Sequence, residues 1–278
     1  AARANAPGQF VTLTDGVTHY ELAGPKDGLP LILIHGFSVP SFIWDPTFAG
    51  LADAGFRVLR YDLFGRGYSD RPDIVYDPTL FNRQLGDLIT ALDLGPAVGL
   101  IGLSMGGGIA VNFTAQHPER VRKLALIDPS GMPMPLPILG RLLHIQGIGE
   151  WLIDRFSEKL IIMGMARDTY ARNKAPELGD RYREQMCYHG FKRAILSTWR
   201  HGELFNMTAE YEAVGRQDRP VLLIWGLRDK TVPLSVSEKV RQAIPQAEFH
   251  LIDAGHIPHH ERPDIVNPLL AGFFAQRI

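Results

Sequence analysis

The chain alternates between short, uninterrupted apolar runs and longer segments in which apolar residues recur every three or four positions. Uninterrupted runs are typical of strands that are buried on both faces of a parallel sheet. Alternating segments within 10–24 predict an antiparallel hairpin ahead of these runs. The runs are LILIHG (31–36), FRVLRYD (56–62), AVGLIGLS (97–104), KLALID (123–128), PVLLIWG (220–226) and AEFHLID (247–253).

Helix-like segments separate the apolar runs. Strand–helix alternation implies right-handed crossovers, which place helices on both faces of the sheet. The sequence therefore predicts an α/β fold with a mostly parallel, eight-stranded sheet. The helix-like segments lie near 47–54, 78–93, 106–117, 234–244 and 263–275.

One interval breaks this rhythm. Between KLALID and PVLLIWG lie about 90 residues, far more than the few that usually connect a helix to a strand. The interval contains helix-like stretches at EWLIDRFSEKLIIMGMA (150–166) and RYREQMCYHGFKRAILSTW (181–199). Because the strand pattern resumes afterwards, we predict a helical cap at 131–208, inserted into a core formed by 1–130 and 209–278.

The composition argues against several classes of partner. The formal net charge is −1, with 29 basic and 30 acidic residues, so we expect no nucleic-acid partner. No apolar run approaches the roughly 20 residues that span a bilayer.

The one cysteine, Cys187, allows no intrachain disulfide, and we expect it to be a packing residue of the cap. The first residues, AARANAPGQF, have neither an initiator Met nor an apolar signal core, which fits either a trimmed signal or an engineered start. Of the locations left open, the cytoplasm is favoured.

A single hydroxyl interrupts a glycine-rich junction. In GLSMG (102–106), Ser104 follows a predicted strand and precedes a predicted helix. The spacing fits G-x-S-x-G, in which small neighbours permit a strained turn that exposes a nucleophilic serine. A serine that only caps the helix is the alternative. A nucleophile would need a histidine as base and an acid that orients this histidine.

Candidates for both partners follow later strands. Asp229 comes after PVLLIWG, and His256 comes after AEFHLID. Functional groups gather at the carboxyl ends of strands in open parallel sheets. A nucleophilic serine in a G-x-S-x-G turn is followed along the chain first by its acid and then by its histidine, and Ser104, Asp229 and His256 occur in this order. We therefore predict these three residues as a catalytic triad.

Catalysis by a serine also requires hydrogen-bond donors for the oxyanion, the substrate oxygen that becomes negatively charged during the reaction. Each backbone N–H that points at this oxygen contributes a factor of about 10²–10³ in rate. Met105 is predicted as the first donor, because it begins the helix after the nucleophile, where the helix dipole favours an anion. The second is predicted at Phe37, in the loop after LILIHG. His35 ahead of it is expected to shape this loop rather than to react.

Several other residues compete for these roles. Asp128 ends KLALID and is an alternative acid, whereas Asp253 is close to His256 in sequence and is expected to be a turn residue. With His256, His259 and His260 form H-x-x-H-H-E, but this spacing does not match H-E-x-x-H, so no metal is predicted. The run YDLFGRGYSDRP lacks the third glycine of a dinucleotide fingerprint. We expect a turn there, and no cofactor is predicted.

Five segments in this order, LILIHGF, YDLFGRGYSDRP, GLSMGGG, WGLRDKTVP and AGHIPHHERPD, resemble the α/β-hydrolase superfamily over nearly the whole chain except the cap. Ser104 differs from the Asp of haloalkane dehalogenases and epoxide hydrolases, and Met105 differs from the Trp of proline iminopeptidases. GLSMGG is similar to bacterial carboxylesterases and monoacylglycerol lipases. It is also close to meta-cleavage product hydrolases, which usually have Asn where this chain has Leu103. The resemblance implies acyl transfer to Ser104, with His256 as proton shuttle and Asp229 as its orienting acid.

The substrate is then selected largely by the cap. Its PMPLPILGRLL and IIMGM segments are rich in Pro, Leu, Ile and Met, which suits a pliable apolar pocket. Most of these side chains are nevertheless expected to pack the cap onto the core. We expect carboxylic esters with a medium-sized apolar acyl or alcohol part as substrates. Two alternatives stay open: carbon–carbon bond hydrolysis of a vinylogous diketone, and a receptor-like role in ligand binding on the same fold.

Overall fold

A single sheet of eight strands forms the centre of the protein. The computed structural model describes residues 2–136, 138–156 and 175–276. The strand order is β1-β2-β4-β3-β5-β6-β7-β8, in which β1–β2 and β2–β4 are antiparallel pairs and all other pairs are parallel. The predicted eight-stranded, mostly parallel sheet is therefore confirmed. The strands are β1 (Gln9–Leu13), β2 (Gly16–Ala23), β3 (Pro30–Ile34), β4 (Arg57–Tyr61), β5 (Val98–Leu103), β6 (Val121–Ile127), β7 (Val221–Gly226) and β8 (Glu248–Ile252).

Helices connect these strands, and the five predicted helix-like segments correspond to α1, α2, α3, α8 and α10 of the structure, with ends that differ by up to two residues. Local sequence fixes some of these ends: the Asp77 carboxylate caps the helix that follows it by accepting from the Leu80 N–H at 2.8 Å. The helices are α1 (Asp45–Asp53), α2 (Pro78–Ala91), α3 (Met105–Gln116), α4 (Ile138–Leu142), α5 (Ala175–Met186), α6 (Phe191–His201), α7 (Thr208–Gly215), α8 (Ser235–Ala243), α9 (Pro258–Glu261) and α10 (Pro263–Ala275). Within the described ranges, no helix is long and apolar enough to cross a membrane.

The central strands are apolar without interruption because both faces of the sheet are covered. Successive residues of one strand enter two different hydrophobic clusters, as Leu31 and Ile32 of β3 do. Helices α2, α3, α7 and α8 contribute to the cluster of Ile32, and α1 and α10 contribute to the cluster of Leu31. Because β3 to β8 run parallel to one another, their carboxyl ends lie at one edge of the sheet, where the loops with polar residues lie.

Between β6 and β7 the chain leaves the sheet. Helices α4 to α7 lie in this interval, and residues 148–156 are also helical. The two ends of the interval meet: the Gly131 N–H donates to the Leu204 carbonyl at 2.8 Å, and the Met207 N–H donates to the Gly131 carbonyl at 2.7 Å. The excursion therefore leaves the order of the strands intact. The division into a cap at 131–208 and a core stays a prediction, and the IIMGM segment lies outside the described residues.

The stretch 181–199 contains a break that the sequence pattern did not predict. Helix α5 ends at Met186, and Gly190 adopts a left-handed φ of 83° before α6 begins, a conformation that glycine accepts without strain. Cys187 lies in this break and is exposed. The expectation that Cys187 packs inside the cap is therefore wrong, because the end of the helix leaves its side chain at the surface.

Candidate active site

Ser104 lies in a strained turn between β5 and α3. Its backbone has φ 52° and ψ −119°, and such a conformation costs a non-glycine residue about 1–3 kcal/mol. The flanking glycines permit the turn: a Cβ at Gly102 would lie 2.4 Å from the Gly106 carbonyl oxygen, and one at Gly106 would lie 2.1 Å from the Ile34 carbonyl oxygen. The Ser104 side chain makes no capping hydrogen bond to α3. The reading of this serine as a simple helix cap is therefore wrong.

Backbone hydrogen bonds hold the Ser104 turn against the end of β6. The Ser104 N–H donates to the Ile127 carbonyl at 2.9 Å, and the Ser104 carbonyl accepts from the Ser130 N–H at 3.0 Å. Asp128 follows Ile127 and is thus placed beside this turn. Met105 is the first residue of α3, and the first amides of a helix have no acceptor within the helix. The Met105 N–H therefore lies at the positive end of a helix that begins at the proposed nucleophile.

The loop after β3 passes close to Ser104, since a Cβ at Gly36 would lie 3.4 Å from the Ser104 Cβ. His35 holds this loop: its Nε2 accepts from the Leu63 N–H at 3.0 Å, so its Nδ1–H donates to the Gly36 carbonyl at 2.9 Å. The Gly36 carbonyl and the Phe37 N–H belong to the same peptide group, and the C=O and N–H of a trans peptide point in opposite directions. The hydrogen bond to His35 therefore directs the Phe37 N–H away from the His35 ring. Burial lowers the pKa of His35 to about 4, and the ring is therefore neutral, as a residue that shapes the loop requires.

Arg66 supports the same loop, and sequence reasoning missed it. Its guanidinium is completely buried, with Nε donating to the Phe37 carbonyl at 2.9 Å and Nη1 donating to the Phe64 carbonyl at 3.1 Å. Burial lowers the pKa of Arg66 to about 10, so the group remains charged at neutral pH. The available signal was an arginine in the middle of a glycine turn, GRG, next to an apolar run.

The turn that contains Arg66 is organised by Asp62, another residue that sequence reasoning did not single out. The Asp62 carboxylate accepts from the N–H groups of Ser41 and Tyr68, both at 2.9 Å, and from His19 Nδ1 at 2.8 Å. Burial alone would raise the pKa of Asp62, but the hydrogen bonds from His19 and Ser41 lower it. YDLFGRGYSDRP is therefore the predicted turn, tied together by one buried carboxylate.

Asp229 and His256 form a hydrogen-bonded pair, with Asp229 Oδ2 at 2.7 Å from His256 Nδ1. The other carboxylate oxygen, Oδ1, accepts from the N–H groups of Thr231 and Val232 at 2.7 and 2.9 Å. The Asp229 side chain is completely buried and that of His256 is 7% exposed. The turn after β7 thus holds a carboxylate against one ring nitrogen, which keeps the proton on Nδ1 and leaves Nε2 able to accept another.

Asp128 lies in the same cluster. Asp128, Asp229 and His256 each contribute one atom to a group in which all atoms lie within 4.8 Å of one another. Asp128 is completely buried, and its Oδ1 accepts from the Gly226 N–H at 2.8 Å. The sequence offered Asp128 and Asp229 as alternatives, whereas the structure brings both together. The 2.7 Å contact with His256 is made by Asp229.

The remaining candidates are explained by local contacts. Asp253 pairs with Arg228, whose Nε donates to it at 2.7 Å, as a residue of a surface turn does. His259 is completely buried against Trp44, with ring centroids 4.2 Å apart, and its Nε2 lies 3.2 Å from the Ile43 carbonyl oxygen. Burial lowers the pKa of His259, so its ring is a neutral core group. The absence of a metal at H-x-x-H-H-E stays a prediction.

The fold and these strand-end residues can be compared with known proteins. The family described as alpha/beta hydrolase fold matches residues 30–263. The chain belongs to this family. A non-heme chloroperoxidase of Streptomyces lividans is 29% identical over 95% of this chain and 98% of its own length. A 2-hydroxymuconate semialdehyde hydrolase of Pseudomonas putida is 27% identical over 90% of this chain and 88% of its own length.

Solved structures give the same result for the fold of this alpha/beta hydrolase. A thermophilic esterase from Thermogutta terrifontis matches with a TM-score of 0.81 and 25% identity, over 96% of this chain and 98% of its own chain. These relatives carry three different activities in their names. Membership of the family therefore establishes the fold, and the reaction has to be argued from the residues of this chain.

Proposed function

We propose that this alpha/beta hydrolase is a serine hydrolase that cleaves carboxylic esters through an acyl-enzyme. The observation that carries the proposal is the buried hydrogen bond between Asp229 and His256, at the same edge of the sheet as the strained turn of Ser104. A carboxylate that is held by backbone amides and contacts Nδ1 is what a histidine needs in order to act as a base through Nε2. The similarity to the Thermogutta terrifontis esterase supports an ester as substrate.

In the proposed first step, the Ser104 Oγ attacks the ester carbonyl carbon while His256 Nε2 takes the hydroxyl proton. His256 then gives this proton to the leaving alcohol, and the acyl group stays on Ser104. A water molecule, deprotonated by His256, attacks the acyl carbon, and the proton returns to the Ser104 Oγ as the acid leaves. Asp229 keeps the Nδ1 proton in place and stabilises the transient imidazolium.

The negative charge of the tetrahedral intermediates is assigned to the N–H groups of Phe37 and Met105. His35 binds the carbonyl before Phe37, and Arg66 binds the carbonyl of Phe37 itself. The Phe37 N–H is therefore held in position by hydrogen bonds to the carbonyl before it and the carbonyl after it, before a substrate arrives. Donors that need no reorganisation during the reaction are the main source of oxyanion stabilisation.

The acyl part of the substrate is assigned to the space beside Met105. A small cavity of about 10 Å³ lies there, and the described side chains that line it are apolar except for Ser130. This volume accommodates about one water molecule, so a hydrocarbon chain has to displace lining residues. Met207 and Leu204, near the end of the predicted cap, are lining residues, and a methionine adapts readily because its side chain is flexible. We therefore propose an apolar acyl group.

A fluorophosphonate probe tests the nucleophile directly, because it phosphonylates an activated serine irreversibly. We expect mass spectrometry to place the adduct on Ser104, and we expect Ser104→Ala to abolish labelling. Ser130→Ala is the matched control: Ser130 is also buried near the site, and its removal should leave the label on Ser104. A folded protein that takes no label, or takes it elsewhere, contradicts the proposal.

A second candidate reaction is hydrolysis of a carbon–carbon bond in a dienoic meta-cleavage product. The relative from Pseudomonas putida named 2-hydroxymuconate semialdehyde hydrolase favours it, whereas Leu103 before the nucleophile argues against it. A panel of p-nitrophenyl esters and one meta-cleavage product separates the two candidates. Turnover of the diketone with negligible ester hydrolysis would replace the ester proposal. Tight binding of either compound without turnover would favour a receptor-like role.

A further inference from the structure

Two carboxyl groups meet at the buried end of the proposed triad, and they have different environments. Asp229 accepts three hydrogen bonds, from Thr231, Val232 and His256. Asp128 accepts one, from the Gly226 N–H at 2.8 Å. In the described part of the chain, no donor lies within hydrogen-bonding distance of its other oxygen, Oδ2. Three donors stabilise a carboxylate at Asp229, whereas Asp128 has the surroundings of a neutral acid.

The charges around Asp128 also favour its neutral form. It is completely buried, and the acidic groups that face it are Asp229, after β7, and Glu261, in α9. The imidazole of His256 is the basic group of the cluster, and its Nδ1 is already committed to Asp229. Burial and the neighbouring carboxylate of Asp229 raise the pKa of Asp128 well above its usual range. Two adjacent buried carboxyl groups cannot both be ionised without a large cost, and a proton on Asp128 removes this cost.

We propose that Asp128 is a neutral carboxylic acid whose O–H donates to the carboxylate of Asp229 and so holds Asp229 in position against His256. One carboxylate oxygen of Asp128 and one of Asp229 lie within 4.8 Å of each other, and among the described residues Oδ2 of Asp128 has no hydrogen-bond partner, so its proton is directed to Asp229 in this proposal. Asp128 is then a positioning residue, which acts on the reaction through Asp229. This inference rests on the proposed function for its effect on catalysis, but the protonation of Asp128 is independent of any activity.

The backbone explains why this acid is so firmly held. Asp128 has a left-handed φ of 43°, and its N–H donates to the Ile224 carbonyl of β7 at 3.0 Å. The end of β6 is thereby tied to β7, the strand that precedes Asp229. A residue fixed to both strands sets the distance between the two carboxyl groups without depending on the substrate.

The first test uses stability, because it does not need a substrate. A neutral Asp128 takes up a proton on folding at any pH between its unfolded and folded pKa values, so its contribution to stability is complete below about pH 4 and is lost as pH rises. Asp128→Asn keeps an acceptor for Gly226 and an N–H donor for Asp229 but cannot ionise. We expect the ratio of wild-type to Asp128→Asn unfolding constants, from urea titrations, to rise about tenfold per pH unit from pH 5 upward. A ratio that is independent of pH between 5 and 8 would overturn the proposal.

Infrared spectroscopy provides a second measurement that does not depend on reversible unfolding. At neutral pH, the wild-type spectrum should contain the carbonyl stretch of a protonated carboxyl group that is missing from Asp128→Asn. If Asp128→Asn does not fold, the pH dependence of this band in the wild-type protein still decides whether a buried carboxyl group is protonated at neutral pH. A wild-type spectrum without such a band contradicts a neutral Asp128.

The positioning role needs activity measurements with a matched pair of variants. Asp128→Asn preserves the hydrogen bond to Asp229 and should keep kcat for an ester within about threefold. Asp128→Ala removes this bond and should lower kcat roughly ten- to hundredfold at unchanged KM, the loss expected for a hydrogen bond to a charged group. The pH at which kcat/KM falls on the acidic side should be the same in Asp128→Asn as in the wild-type protein, because the substitution of a neutral acid removes no negative charge.

The outcomes separate the two claims. A fall in kcat/KM on the acidic side that moves to lower pH in Asp128→Asn means that Asp128 is ionised beside His256, which overturns the proposal. An unchanged kcat in a folded Asp128→Ala overturns the positioning role. If the wild-type protein hydrolyses no ester at all, the proposed function fails, while the stability and infrared measurements still decide the protonation of Asp128.

Discussion

The carboxyl edge of the sheet and the interval between β6 and β7 are built on opposite principles. At the edge, polar groups are buried and are fixed by backbone amides, as Asp229 is by Thr231 and Val232. In the interval, large apolar side chains are at the surface: Ile138 is 78% exposed and Trp151 is 59% exposed. Polar groups of the core are thus held by its backbone, whereas the interval between β6 and β7 presents apolar side chains at the surface. Under the proposed function, the former would fix the catalytic geometry and the latter would contact the substrate.

The largest expected effect is at the nucleophile. Ser104→Ala should lower kcat for ester hydrolysis by about 10⁶, the loss seen when a triad serine is removed. The variant should fold as the wild type does, because the strained turn is held by backbone hydrogen bonds. The measurement is p-nitrophenyl ester hydrolysis together with circular dichroism. More than a few per cent residual activity, in a preparation free of wild-type enzyme, would refute the assignment of Ser104.

The second largest effect distinguishes the two acids. Asp229→Asn should lower kcat roughly 10⁴-fold, because an amide in this place favours the wrong tautomer of the histidine. Asp128→Asn is the matched control and should change kcat far less, since Asp229 makes the contact with His256. Steady-state kinetics on both variants provide the comparison. If Asp128→Asn caused the larger loss, Asp128 would be the catalytic acid.

The third effect concerns the close packing of the first turn of α3 against the carboxyl end of β3. A Cβ at Gly106 would lie 2.1 Å from one carbonyl oxygen, that of Ile34, and 2.5 Å from that of His35. Gly106→Ala should therefore cost about 3 kcal/mol in the free energy of unfolding, at the upper end for overpacking. Gly272→Ala is the control, because no other described residue outside its own helix turn lies within 4 Å of its Cβ position in α10, and it should stabilise the protein by about 0.5–1 kcal/mol. Urea titrations measure both, and equal effects would show that the junction is not tightly packed.

The sequence predicts the sheet well because strands that are buried on both faces leave a simple signature, as LILIHG does for β3. It also predicts Ser104, Asp229 and His256 as residues at strand ends, since Ser104 ends an apolar run and the other two each follow one by three residues. It does not predict which strand ends are neighbours. The contact between Asp128 and Asp229 depends on β6 and β7 being adjacent, and the sequence pattern does not contain this order. The sequence thus offered two acids as alternatives where the structure has a pair.

Arg66 and Cys187 show two other limits of sequence reasoning. A charged residue in a turn predicts a solvated side chain, but Arg66 is completely buried because two carbonyl oxygens from different loops converge on it. Cys187 lies in a segment with helical periodicity, and only Gly190 after it indicates the break that exposes the thiol. Both cases depend on contacts between segments that are distant in sequence or on backbone conformations that periodicity does not encode.

The smallest expected effect belongs to the predicted cap and concerns the length of the acyl chain. Each methylene that becomes buried contributes about 0.8 kcal/mol, close to a fourfold gain in kcat/KM per carbon. We expect kcat/KM for p-nitrophenyl esters to rise from acetate to about butyrate or hexanoate and then to level or fall. The gain per carbon should be below fourfold, because the cavity beside Met105 holds only about 10 Å³ and Met207 has to move. Met207→Ala enlarges this cavity and should shift the preferred ester to a longer chain, whereas Met134→Ala, a methionine that does not line it, should leave the profile unchanged. A fall in kcat/KM from acetate onward would mean that the site takes only small acyl groups, and the role proposed for these apolar side chains would be wrong.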